Sequence, residues 1–90
     1  MSQAIVNPEE LRRFALTLKE FNTELLDRMN SLSSRLNALS STWRDQENQK
    51  FSEEFAQHMK VLARFVEANE HHIPYLLRKA ERIEEYLRQR

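Results

Sequence analysis

The sequence predicts an all-α chain: two long antiparallel helices folded as a hairpin, pairing with a second chain into a four-helix bundle. Three observations carry this. Apolar residues recur at spacings of three and four over most of the 90 residues. One cluster of turn-forming residues interrupts them. The chain has no glycine and only two prolines, so few of the residues that break helices are present.

A lead-in over residues 1–6 precedes Asn7-Pro8-Glu9-Glu10. Asparagine caps helix N-termini, proline suits the first helical position, and Glu10 stands where its side chain can bond back to the cap. The first helix is expected over about residues 8–40, or roughly 50 Å at about 1.5 Å per residue. Its apolar stripe reads Leu11, Phe14, Leu18, Phe21, Leu25, Met29, Leu32, Leu36, Leu39 and Trp43. An 11-residue step inside that stripe locally straightens any supercoil.

Ser40, Ser41, Thr42 and Asp45 form the densest run of residues that compete for backbone hydrogen bonds. The turn is placed at about 41–45, with Asp45 or Thr42 capping the next helix. That second helix is expected over about 46–88. Its stripe reads Phe51, Phe55, Met59 beside His58, Leu62, Phe65, Asn69, His72 or Ile73, Leu76, Ala80, Ile83 and Leu87. Pro74 removes one helix hydrogen bond and crowds the carbonyl of Glu70, so the helix is kinked or broken near it. Residues 1–90 make a single hairpin domain.

Lone hairpins of this kind leave much of each stripe wet, and burial then fails to offset chain ordering at about 1–2 kcal/mol per residue. Association with another chain is the physical solution. The expected interface residues are Leu11, Phe14, Leu18, Phe21, Leu25, Met29, Leu32, Leu36, Phe55, Leu62, Phe65, Leu76 and Ile83. Asn69, inside the stripe, is read either as a buried residue that specifies register or as a half-solvated edge residue.

Composition excludes much chemistry. Without glycine there is no phosphate-binding loop or nucleophile elbow. Without cysteine there is no disulfide, thiol catalyst or thiolate zinc site. Fourteen basic residues balance fourteen acidic ones, which argues against nucleic acid as a partner. Arg78, Lys79, Arg82, Arg88 and Arg90 read as a helix end matched to its dipole. Glu9-Glu10, Glu53-Glu54 and Glu84-Glu85 are sequence neighbours that diverge on a helix, so they form no acid–base dyads. His71 and His72 diverge likewise; a helical metal pair wants a spacing of three or four, which Glu67 and His71 meet with one carboxylate, and exposed or satisfied histidines are the ordinary case. No enzyme, cofactor or metal site is expected. No apolar run approaches the ~20 residues of a membrane span, and the N-terminus shows no standard secretory leader.

Trp43 is the single tryptophan and falls at the hairpin tip, where it can close the seam, serve recognition, or both. Trp43-Arg44-Asp45 in an inter-helix turn, with Phe51 eight residues after the tryptophan and Leu36, Leu39 and a serine-rich approach before it, resembles the WXG family. These are the small helical hairpins of type VII secretion, related to the early secreted antigens. The resemblance runs from roughly residue 8 to 88. It implies a non-enzymatic interaction module of a type VII-like secretion system, as effector, chaperone or partner subunit. It also implies a homodimer, or a heterodimer with a related hairpin, and export without a cleaved signal peptide. Two positions depart from the family pattern. Asp45 replaces the motif glycine, and the export signal, a tyrosine with an acid four residues on, is absent: Tyr75 is followed by Lys79 and Tyr86 by Arg90. A partner chain then supplies the signal, or the protein is a cytoplasmic helical adaptor or structural subunit unrelated to secretion.

Overall fold

The computed structural model describes residues 6–89. Of the lead-in, residues 1–5 lie outside the described range. The chain forms two helices, α1 (Pro8–Ser40) and α2 (Gln46–Arg88), joined by a short tip. They run antiparallel in a rod 68 Å long and 21 by 15 Å across.

Local chemistry sets each boundary. Asn7 is extended, and its side-chain oxygen accepts from the backbone N–H groups of Glu9 (2.8 Å) and Glu10 (3.4 Å). Two of the orphan donors at the helix start are thereby satisfied. α1 ends where hydroxyls take over its last carbonyls. Ser41 Oγ donates to Ala38 O (2.7 Å) and Thr42 Oγ1 to Leu39 O (3.2 Å). The backbone N–H of Trp43 also bonds Leu39 O at 2.9 Å.

Asp45 starts α2, accepting from the Asn48 N–H at 3.1 Å. Its φ of −95° lies in ordinary extended space. The tip therefore needs no left-handed residue at this position, and the aspartate adds a side-chain acceptor for the helix start that glycine lacks. α2 then runs unbroken through Pro74. Pro74 is exposed, on the outside of the rod, where the lost hydrogen bond is open to water.

The core is thin. Ala15, Val66 and Ala80 are its buried apolar residues, and among the described residues no large side chain is fully buried. Three asparagines, Asn22, Asn48 and Asn69, are buried beside them. The radius of gyration is 20.2 Å, against about 12 Å for a compact chain of this length. The accessible surface is 7430 Å², where a compact monomer of this mass exposes roughly 5,600 Å².

Candidate functional site

The helices meet along a seam that is partly the expected one. Leu11, Leu18, Leu25, Met29 and Leu36 of α1 are half-buried, as are Phe55, Met59, Leu62, Ile73, Leu76 and Ile83 of α2. Smaller residues share the seam: Ala15, Asn22, Asn48, Val66, Asn69 and Ala80 are buried, and Ser33, Ser40 and Ser52 are half-buried. On α2 the seam positions from Asn48 to Ile83 alternate four and three without interruption, the heptad pattern of a helical seam.

The single stripe expected on α1 is thus two neighbouring rows. Phe14, Phe21, Leu32 and Leu39 stand 58%, 46%, 50% and 49% exposed. Each directly precedes a small or polar seam residue: Phe14-Ala15, Phe21-Asn22, Leu32-Ser33, Leu39-Ser40. On α2 Phe51 likewise precedes Ser52, and Phe65 precedes the buried Val66, with Phe51 and Phe65 also exposed. One residue of rotation, about 100°, separates the two rows. Phe21 and Phe65 meet edge to face across the helices, centroids 6.2 Å apart. The outer rows of α1 and α2 therefore lie on one face of the hairpin and form an exposed band of apolar side chains, interspersed with polar ones. Helix geometry places exposed His58 and His72 in line with Phe51 and Phe65, at seven-residue intervals.

At the tip, Trp43 is half-buried and packs near Phe51 (6.1 Å), which in turn packs near Phe55 (6.0 Å). The turn residues Trp43, Asp45 and Phe51 thus converge on one end of the rod. Trp43 closes the seam there, with Phe51 continuing into the exposed band.

Polar side chains tie the seam at three levels. At the tip, Asn48 Nδ2 donates to Ser40 Oγ (3.1 Å), and Ser52 Oγ donates to Asn48 Oδ1 (3.1 Å). Midway, Asn69 Nδ2 donates to Asn22 Oδ1 (2.9 Å), while Asn22 Nδ2 donates to the carbonyl of Val66 (3.2 Å). Asn69 is 7% exposed, so it is the buried polar residue, not the edge one. At the open end, Arg12 and Glu84 form a bidentate ion pair, with Nη1 to Oε2 at 2.9 Å. The Arg12 hydrogen bonds hold the Glu84 carboxyl below its ordinary range against some desolvation, with added help from the charges of Arg12 and Arg88. The same hydrogen bonds raise Arg12.

On the opposite flank, Leu16, Leu26, Ile73 and Leu77 line a shallow groove of about 310 Å³, rimmed by Lys19 and Glu70. His58, His71 and His72 are exposed. Among the described residues no group of three histidine or carboxylate side chains is placed to hold a metal. No described helix is long and apolar enough to cross a membrane.

The asparagine pair and the outward row were missed by reading apolar spacing alone. A small or polar following residue does not by itself separate the rows, since Asn30 and Asn37 also follow half-buried Met29 and Leu36.

These features define a class: a two-helix rod with a polar-clamped seam, an aromatic tip and one apolar face left open. The chain belongs to the WXG100 family, "Proteins of 100 residues with WXG", whose model matches residues 3–86. It is similar to solved structures of the secreted protein EsxB from Bacillus anthracis str. Sterne. The wild-type structure is 27% identical, with a TM-score of 0.77 over 93% of this chain and 97% of that one. A selenomethionine-labelled form of the same protein is 27% identical, with a TM-score of 0.78 over 96% and 98%. No curated protein matches the sequence.

Proposed function

We propose that this chain is a non-enzymatic interaction module of a type VII-like secretion system that works by pairing hairpin to hairpin. Two copies, or one copy and a related hairpin, lay their open apolar faces together as a four-helix bundle. The observation that carries this is the exposed band of Phe14, Phe21, Leu32, Leu39, Phe51 and Phe65 along one face. Monomers rarely leave a contiguous patch of this kind uncovered. The excess of surface over a compact monomer is roughly 1,800 Å², and a standard interface takes about 800 Å² from each partner. Family membership and likeness to a secreted protein support the secretion context. With neither Tyr75 nor Tyr86 followed by an acid four residues on, the partner hairpin provides the export signal in this reading.

Light-scattering chromatography over a dilution series tests it. The expected mass is twice 10.9 kDa, with Phe21→Asp monomeric but still helical, because it places an unpaired charge at the centre of the band. A poorly helical monomer points to a different hairpin as partner, to be sought among co-purifying chains. A helical monomer at every concentration, with Phe21→Asp indistinguishable from wild type, overturns the pairing.

A further inference from the structure

We propose that the Asn22–Asn69 pair sets the rotation of α1 against α2, holding Phe14, Phe21, Leu32 and Leu39 outward where a partner can cover them. The proposal rests on the pairing reading above for its purpose, and on intrachain geometry for its substance.

Hydrophobic burial alone favours another hairpin. Turning α1 by about half a residue, roughly 50°, brings Phe14, Phe21, Leu32 and Leu39 toward the seam beside Leu11, Leu18, Leu25, Met29 and Leu36, and moves Ala15, Asn22, Ser33 and Ser40 to its edge. Both apolar rows of α1 then share the sheltered side, and the outer face becomes more polar. The chain does otherwise: its sheltered row interleaves Leu11, Leu18, Leu25, Met29 and Leu36 with small or polar residues, and Phe14, Phe21, Leu32 and Leu39 stay outside.

Hydrogen bonding opposes that turn. Asn22 uses both ends of its amide across the helices, donating to Val66 O and accepting from Asn69. Both asparagines are more than nine-tenths buried. Rotating α1 leaves Asn69 facing a phenyl ring, with its amide buried and unpaired, which is costly. A second tie on the same row, Ser40 to Asn48, lies 18 residues along α1 and enforces the same rotation at the tip. Two hydrogen-bonded points on a rigid helix fix its azimuth. Asn22 and Asn69 are thus positioning residues for a face they do not occupy.

The chain has no cysteine, so a single introduced thiol reports its own exposure. Leu32→Cys and Ser33→Cys are labelled with a maleimide in the wild-type background and with N22A/N69A, at dilutions where light scattering shows monomer. In wild type, position 32 is expected to label several-fold faster than position 33. In N22A/N69A the ratio is expected to fall at least fivefold with helicity retained, and the dimer of the thiol-free double variant to weaken tenfold or more. If the double variant loses helicity, Asn69→Ala alone is read instead. It keeps the Asn22 bond to Val66 and is expected to move the ratio part of the way. An unchanged 32-to-33 ratio in a folded variant overturns the proposal whatever the oligomeric state. A changed ratio in a chain whose wild type never associates upholds the rotation and overturns the pairing reading instead.

Discussion

Phe14 and Leu16 make a matched pair for separating the two flanks of the rod. They are 58% and 56% exposed, two residues apart on α1, and so point to nearly opposite sides. Phe14 belongs to the apolar band; Leu16 lines the groove behind it. A phenylalanine offers about 200 Å² for burial, so roughly 120 Å² of Phe14 is still wet. At about 25 cal/mol per Å² that is worth up to about 3 kcal/mol when a partner covers it. Since Phe14→Ala keeps a methyl group and cover is incomplete, about 2 kcal/mol per chain is expected. A homodimer loses this twice, about 4 kcal/mol, or roughly a thousandfold in Kd at 1.4 kcal/mol per decade. Leu16→Ala is expected to shift Kd by less than about threefold, within the usual range for surface changes. Sedimentation equilibrium on the two variants side by side measures both. Equal weakening, or a larger effect at Leu16, refutes the assignment of the band as the paired face.

Three further outcomes follow from local chemistry. Pro74 sits exposed in the interior of α2, so Pro74→Ala restores a helix bond without losing packing. Proline costs about 3 kcal/mol against alanine there, and a rise in melting temperature of about 12–24 °C is expected by calorimetry; no rise means the helix has already adapted to the ring. Asp45→Ala removes the α2 cap and is expected to lower the melting temperature by about 4–8 °C, for about 1 kcal/mol. Glu84 has its carboxyl pKa lowered in the folded chain. Its pairing therefore stabilises at pH above the ordinary carboxylate value of about 4.3 and is lost as pH falls through the lowered one. Thermal melts of Glu84→Gln are expected to show a smaller stability loss over that acid range than wild type.

The architecture was legible because its signals are local. Asn7-Pro8 decides a cap within four residues, and Ser40, Ser41, Thr42 and Asp45 decide a turn within six. The division of labour along the rod was not legible from apolar spacing. Leu11, Phe14, Leu18, Phe21 and Leu25 obey one periodicity yet serve two rows, since three- and four-residue steps alternate between adjacent lines on a helix. Ranking by hydrophobicity places Phe21 inside and Asn22 outside; the structure does the opposite because Asn22 has Asn69 across from it. That partnership joins residues 47 positions apart and shows only when the second helix is folded back. Pro74 was ambiguous for the same reason. Its tolerance depends on facing water, which spacing does not report.

The three polar ties also order how the hairpin closes. Ser40 and Asn48 are 8 residues apart, Asn22 and Asn69 are 47, and Arg12 and Glu84 are 72. Loop-closure entropy rises with the logarithm of that separation, so making the last contact before the first costs about 2 kcal/mol more. Closure therefore zips from the tryptophan tip toward the ion pair, and fraying runs back the other way. Amide exchange should be slowest near the tip and fastest beyond Arg12 and Glu84. A machine gripping the free ends would peel the rod open in sequence, one tie at a time, whereas one gripping the tip would meet the whole seam at once.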